Sequence, residues 1–134
     1  MTETITRMSK THPAGSLENN ELLARCVAAC LECAQACTAC ADACLSEEMV
    51  ADLRSCIRGD LDCADVCGTT ARVLSRRTGY DAATTRSVLE ACAQACRSCG
   101  EECASHGDMH EHCKVCAEVC RRCEEACREL LAVL

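Results

Sequence analysis

Aromatic residues are almost missing from this chain of 134 residues: it has no Trp, no Phe and one Tyr, Tyr80. Proline occurs once, at Pro13, and β-type alternation of apolar and polar residues is absent. Without aromatics and with few large aliphatics, an ordinary close-packed hydrophobic core is excluded. Without strand alternation, and with abundant Ala, Glu, Arg and Leu, the chain reads as all-α. No apolar run approaches a membrane span, and the polar stretch Met1–Asn20 has no hydrophobic signal region, so a cytosolic location is expected and no membrane partner. The formal charge of −7, with basic residues scattered and no aromatic platform for bases, argues against a nucleic-acid partner. At this length a single domain is expected.

What the chain has in place of aromatics is sulfur. Eighteen cysteines occur, nearly all three or four residues apart. The first run is Cys26, Cys30, Cys33, Cys37, Cys40 and Cys44. Cys92, Cys96, Cys99 and Cys103 repeat the beat, as do Cys113, Cys116, Cys120, Cys123 and Cys127, while Cys56, Cys63 and Cys67 form a sparser set. Alternating steps of three and four follow one face of an α-helix, so thiols stand where a bundle normally places leucine. In a reducing compartment such a count points to metal binding rather than a disulfide framework. Thiols on one face of one helix would also crosslink little.

Residues 1–16 are expected to be a disordered or loosely helical arm, with breakers at Pro13 and Gly15. Ser16 is the expected N-cap of a first helix ending near Leu45. A link at Ser46–Glu48 leads to a second helix, Met49 to Arg77. A turn follows at Thr78–Asp81, with Gly79 as C-cap. Asp81 would cap a third helix from Ala82 to about His106. Gly107 breaks it, and Asp108 would cap a fourth that runs nearly to Leu134. Short connections between long amphipathic helices predict an up-down-up-down antiparallel four-helix bundle over residues 17–134, with its core lined by Cys. Cys33-Ala-Gln-Ala-Cys37 recurs as Cys92-Ala-Gln-Ala-Cys96, so the bundle reads as two related hairpins.

Continuing the beat beyond the cysteines gives the bundle two different ends. Met49, His106, Met109 and His110 fall at one end, and Leu22, Leu23, Leu74, Val88, Leu89, Leu130 and Leu134 at the other. Soft and borderline metal donors thus open one end, and aliphatics close the other. His112 lies off the seam and is expected to be exposed. Asp60 interrupts the second helix between Cys56 and Cys63, where a carboxylate would be buried among thiols. Such a group needs a partner or a metal, so Asp60 is a candidate accessory ligand.

Thiolates prefer Cu(I), Zn(II) and iron–sulfur clusters. Zinc favours discrete tetrahedral groups of four. The chain has five CxxC steps but eight CxxxC steps, in continuous ladders. Iron–sulfur clusters favour compact runs in loops over rigid helices. Cu(I) fits best, because it takes two or three soft ligands and thiolates bridge neighbouring ions. If each ion takes two sulfurs and each sulfur serves two ions, capacity is on the order of 18 ions per chain. A zinc buffer and an iron–sulfur redox protein remain the alternatives. A thiol enzyme is disfavoured, since no cysteine stands apart with an activating partner.

On the ladders CVAACLECAQACTACADAC, CAQACRSCGEEC and CKVCAEVCRRCEEAC, the chain resembles the cytosolic branch of the copper storage protein family over roughly residues 17–134. The resemblance implies storage of many Cu(I) ions inside a four-helix bundle and assembly as a homotetramer. It also implies that His and Met at the open end take part in copper entry.

Overall fold

Long runs of good helix formers, broken only at short polar or glycine-bearing links, fix the elements. A computed structural model describes residues 1–134. It contains α1 (Thr2–Lys10), α2 (Asn20–Leu45), a 3-10 turn (Val50–Leu53), α3 (Arg54–Leu74), α4 (Ala82–Ala104) and α5 (Glu111–Leu131). Helices α2 to α5 form a ring in which each packs on its two neighbours. Sulfur contacts give their direction. Cys26–Cys127 (3.8 Å), Cys30–Cys123 (3.8 Å), Cys33–Cys120 (3.8 Å), Cys37–Cys116 (3.7 Å) and Cys40–Cys113 (3.9 Å) descend along α5 as they climb α2. Cys67–Cys92 (3.8 Å), Cys63–Cys96 (3.9 Å) and Cys56–Cys103 (3.6 Å) do the same for α3 and α4. The antiparallel four-helix bundle expected from the ladders is the fold.

Several boundaries differ from the sequence reading. The caps of α2 and α5 are Asn19 and His110, where Ser16 and Asp108 were expected. Asp81 does cap α4, its carboxylate accepting from the Ala83 and Thr84 amides. Gly79, in the preceding turn, has φ +67, a left-handed conformation that glycine adopts without strain. The second helix begins as a 3-10 turn, so Met49 lies before it rather than within it. Gly100 marks the close approach of α4 to α5, since a Cβ there would stand 3.3 Å from Cys120 Cβ.

The segment expected to be a loose arm carries α1. Its Ile5 packs against the core cluster, Ser9 hydrogen-bonds to Asn20, and Arg77 donates to the Ser9 carbonyl at 3.1 Å. These long-range contacts, invisible to local composition, hold it against the bundle.

One expectation is overturned. Helix α2 spans 26 residues and reaches a mean hydropathy of 1.3 over 18 of them, long and apolar enough by composition to cross a membrane. That hydropathy comes from Cys and Ala, and the thiol face of α2 is spent on the bundle core. Outside, ion pairs such as Arg122–Glu32 (2.8 Å) and Arg58–Asp62 (2.9 Å) are solvated and contribute little to stability.

Candidate metal centre

All 18 cysteines are buried and none is bridged. Six come from α2, three from α3, four from α4 and five from α5, because each helix turns its three-four seam to the axis. Their sulfurs gather into quartets whose members lie within 4.8 Å of one another. Cys40, Cys44, Cys56 and Cys113 form one at the end of the tube where α2 and α3 are joined. Deeper quartets are Cys37, Cys99, Cys116 and Cys120, then Cys33, Cys37, Cys63 and Cys120. Beyond them come Cys33, Cys63, Cys67 and Cys96, and finally Cys30, Cys92, Cys123 and Cys127. Cys33, Cys37, Cys63 and Cys120 each belong to at least two quartets, so the sulfurs form a continuous lattice rather than separate cages.

Burial favours the protonated thiol most clearly at the end of the tube where α2 and α3 are joined. The Cys44 thiol is pushed up to about 11, chiefly by desolvation, and Cys113 is raised for the same first reason. A monovalent soft cation that displaces one proton per thiolate can fill such a core without building net charge.

Asp60 lies fully buried on the α3 seam. Its Oδ1 accepts from Cys99 (3.1 Å), Cys103 (3.3 Å) and Cys116 (3.3 Å), and Cys56 lies 3.9 Å from Oδ2. Burial raises its carboxyl to about 7, against the lowering effect of the thiol donors. It stands just below the outermost quartet, bridging three helices.

The two ends differ as the seam suggested, with corrections in detail. Leu74, Leu89 and Leu130 are buried at the closed end, joined by Thr70, whose hydroxyl bonds to the Val66 carbonyl at 2.7 Å. Leu22 and Leu23 are partly buried against them, Val88 is half-buried, and Leu134 is exposed. At the open end His110 is buried and His106 is half-buried, its Nε2 3.2 Å from Glu102. Met109 is 67% exposed and Met49 39%, so neither faces the tube. The helical beat does not run through the turn after Ala104 or through the 3-10 turn, and both methionines lose their seam positions there.

His112 reverses its expected place. It is partly buried, with Nδ1 3.4 Å from Cys40 Sγ and 3.6 Å from Cys113 Sγ. Glu47, which sequence reasoning did not single out, joins it: Oε2 is 2.6 Å from His110 and 3.1 Å from His112. The hydrogen bond from His112 and the two nearby imidazoles hold this carboxyl below its ordinary range. The local signal was His110-Glu111-His112-Cys113, where a histidine directly precedes a seam thiol in the first turn of α5.

A family model described as copper storage protein matches residues 19–132. The chain belongs to the copper storage protein family. Among solved structures, the copper storage protein Ccsp from Streptomyces lividans loaded with 10 copper equivalents is 64% identical, with TM-score 0.94, over 97% of this chain and 99% of that one. A second structure is described as copper loading, with five coppers, to a cytosolic copper storage protein from Streptomyces lividans. It is 70% identical, with TM-score 0.84, over 85% of this chain and 95% of that one. An uncharacterized cysteine-rich protein, YhjQ of Bacillus subtilis (strain 168), is 36% identical over 66% of this chain and 77% of its own length. The sulfur lattice is therefore the soft-donor core of a copper storage protein.

Proposed function

We propose that this protein stores Cu(I) in the cytosol by filling the thiol tube from its histidine end, with capacity on the order of 18 ions per chain. The sharing of Cys33, Cys37, Cys63 and Cys120 between quartets carries this reading, because shared sulfurs suit bridging between Cu(I) ions. The quartet Cys40, Cys44, Cys56 and Cys113 is the outermost site, and His112 Nδ1 adds a borderline donor to it. Asp60 is a hard donor at the next level, His110 and His106 line the approach, and Met49 and Met109 offer exposed thioethers at the rim. Residues 17–134 make up the copper-binding domain, and residues 1–16 are an appendage to its closed end. The family resemblance supports a homotetramer, which sedimentation would read as four chains of 14.4 kDa. It supports neither nucleic acid nor membrane as a partner, and a storage rather than a catalytic role.

Anaerobic titration of the reduced protein against a competing Cu(I) chelator tests the reading. Tight uptake of well over ten equivalents is expected, with ultraviolet thiolate absorption growing throughout. Saturation by about four or five zinc ions, with Cu(I) lost to the chelator, would favour a zinc buffer.

The lattice also predicts unequal single substitutions. Cys33 has Cys37 and Cys120 at 3.8 Å and Cys63 and Cys96 at 4.0 Å, whereas Cys26 at the closed end has Cys127 at 3.8 Å. Cys33→Ala should remove about two or three ions and Cys26→Ala about one, counted by the same titration. Equal losses would contradict a bridged lattice.

Deleting residues 1–11 should leave the copper count unchanged. It should lower urea-unfolding stability by about 1–2 kcal/mol, from the lost Ile5 burial and the Ser9 hydrogen bonds. A lower copper count would place the arm within the store.

A further inference from the structure

Glu47 lies in the link after α2, outside the ladder and outside every helix. One of its oxygens, Oε2, faces His110 Nδ1 at 2.6 Å and His112 Nε2 at 3.1 Å. A carboxylate without a proton can only accept, so each facing nitrogen must carry the ring's N–H. In a neutral imidazole the other nitrogen is then bare. For two neutral rings the geometry therefore assigns opposite tautomers: His110 with its proton on Nδ1 and Nε2 bare, His112 with its proton on Nε2 and Nδ1 bare. The bare nitrogen of His112 is the one that lies among the thiols, 3.4 Å from Cys40 and 3.6 Å from Cys113. The two rings are stacked with centroids 5.5 Å apart and planes 24° apart, so the carboxylate fixes them as a pair.

We propose that Glu47 is a positioning residue for copper capture: it sets opposite tautomers on His110 and His112 and so presents a bare nitrogen of each to incoming Cu(I). The inference rests on the reading that copper enters at this end. Its chemical logic is that of the acidic partner behind a metal-binding histidine, which fixes ring orientation and raises donor strength. Here one acid serves two rings. The effect is larger at His110, because a free imidazole in water favours its proton on Nε2, and Glu47 imposes the less favoured form. At His112 the acid reinforces the intrinsic preference and anchors the ring over the Cys40–Cys113 pair. Glu47 comes from α2's side of the bundle and both histidines from the start of α5. Their bonds therefore also pin together the two elements that carry Cys40, Cys44 and Cys113.

Long-range proton–nitrogen NMR of the reduced, copper-free protein at pH 8 reads the tautomers directly, in the absence of copper. The wild type should show His110 protonated on Nδ1 and His112 on Nε2. Glu47→Ala should shift His110 to the Nε2 form. Glu47→Gln keeps an acceptor oxygen of the same reach without the charge, and should retain the opposite pair. Anaerobic stopped-flow uptake of the first Cu(I) equivalents should slow by about 10–100-fold in Glu47→Ala. In Glu47→Gln it should stay within a few-fold of wild type. Saturating capacity should be the same in all three proteins. Identical tautomers on the two wild-type histidines would overturn the proposal, and so would wild-type uptake by Glu47→Ala. Uptake by Glu47→Gln as slow as by Glu47→Ala would reduce the residue to a charge that attracts cations, and would also overturn it. An unchanged uptake rate in His112→Ala, with the tautomers as expected, would refute entry at this end while leaving the assignment of the rings intact.

Discussion

Filling the reduced protein with Cu(I) is expected to raise its thermal midpoint by on the order of 20 °C or more. The metal-free core is weak for its size. Among large aliphatics its buried set holds Leu53, Leu74, Leu89 and Leu130, with Val27 and Val119; most of the remainder is Cys and Ala. Thiols fill space, yet each removes less apolar area from water than a leucine would. A ligand bound only by the folded state adds its binding free energy to stability, about 4 kcal/mol for each site held at a thousandfold excess over its Kd. The unfolded chain retains CxxC and CxxxC pairs that also bind Cu(I), which subtracts from the gain. Quartets such as Cys33, Cys63, Cys67 and Cys96, however, draw on three helices and exist only in the folded bundle. A net gain of several kcal/mol, at about 3 °C per kcal/mol for a chain of this length, gives the stated rise. Calorimetry of copper-free and fully loaded protein under anaerobic, reducing conditions measures it. Midpoints within a few degrees of each other would mean that copper binds without crosslinking the helices.

Asp60→Cys should stabilise the copper-free protein above neutral pH, by on the order of 4 kcal/mol. The substitution nearly conserves volume and completes the α3 ladder. It also removes a buried carboxyl whose folded value is raised to about 7 from 3.8, chiefly by desolvation. A raised acid binds its proton more tightly in the folded state. Its stabilising effect is therefore fully present below about pH 4 and is lost as pH rises through about 7. The wild-type protein should thus weaken between pH 5 and 8 relative to the variant, with the difference closing at low pH. Urea unfolding of both proteins at pH 5 and pH 8 tests this. Parallel pH profiles would show that Asp60 titrates as it does in the unfolded chain. The variant should also take up about one more Cu(I), since a nineteenth thiol replaces a hard oxygen donor. An unchanged copper count would mean that Asp60 already serves as a full ligand.

The ladders determined helix type, bundle topology, the sulfur-lined axis and the preference for a soft metal. All of these follow from one periodicity: a three-four repeat has a single face, and four such faces joined by short links can only be buried against one another. Asp60 was legible for the same reason, since it holds a seam position inside a regular helix. The repeat carries no information where the backbone leaves the helix. Met49 and Met109 fell off the seam in the links, and His110 rather than Asp108 caps α5. His112 turns inward because α2 stands beside the first turn of α5 and offers Cys40 as a neighbour. Glu47 acquires its two histidines across 63 and 65 residues of chain. Helix α1 is held by Ile5, Ser9 and Arg77 through contacts with no local pattern. The sequence by itself determined what the tube is made of and which end is closed. Only the tertiary structure decided which groups guard the open end, because those groups sit in links, where packing rather than periodicity sets direction.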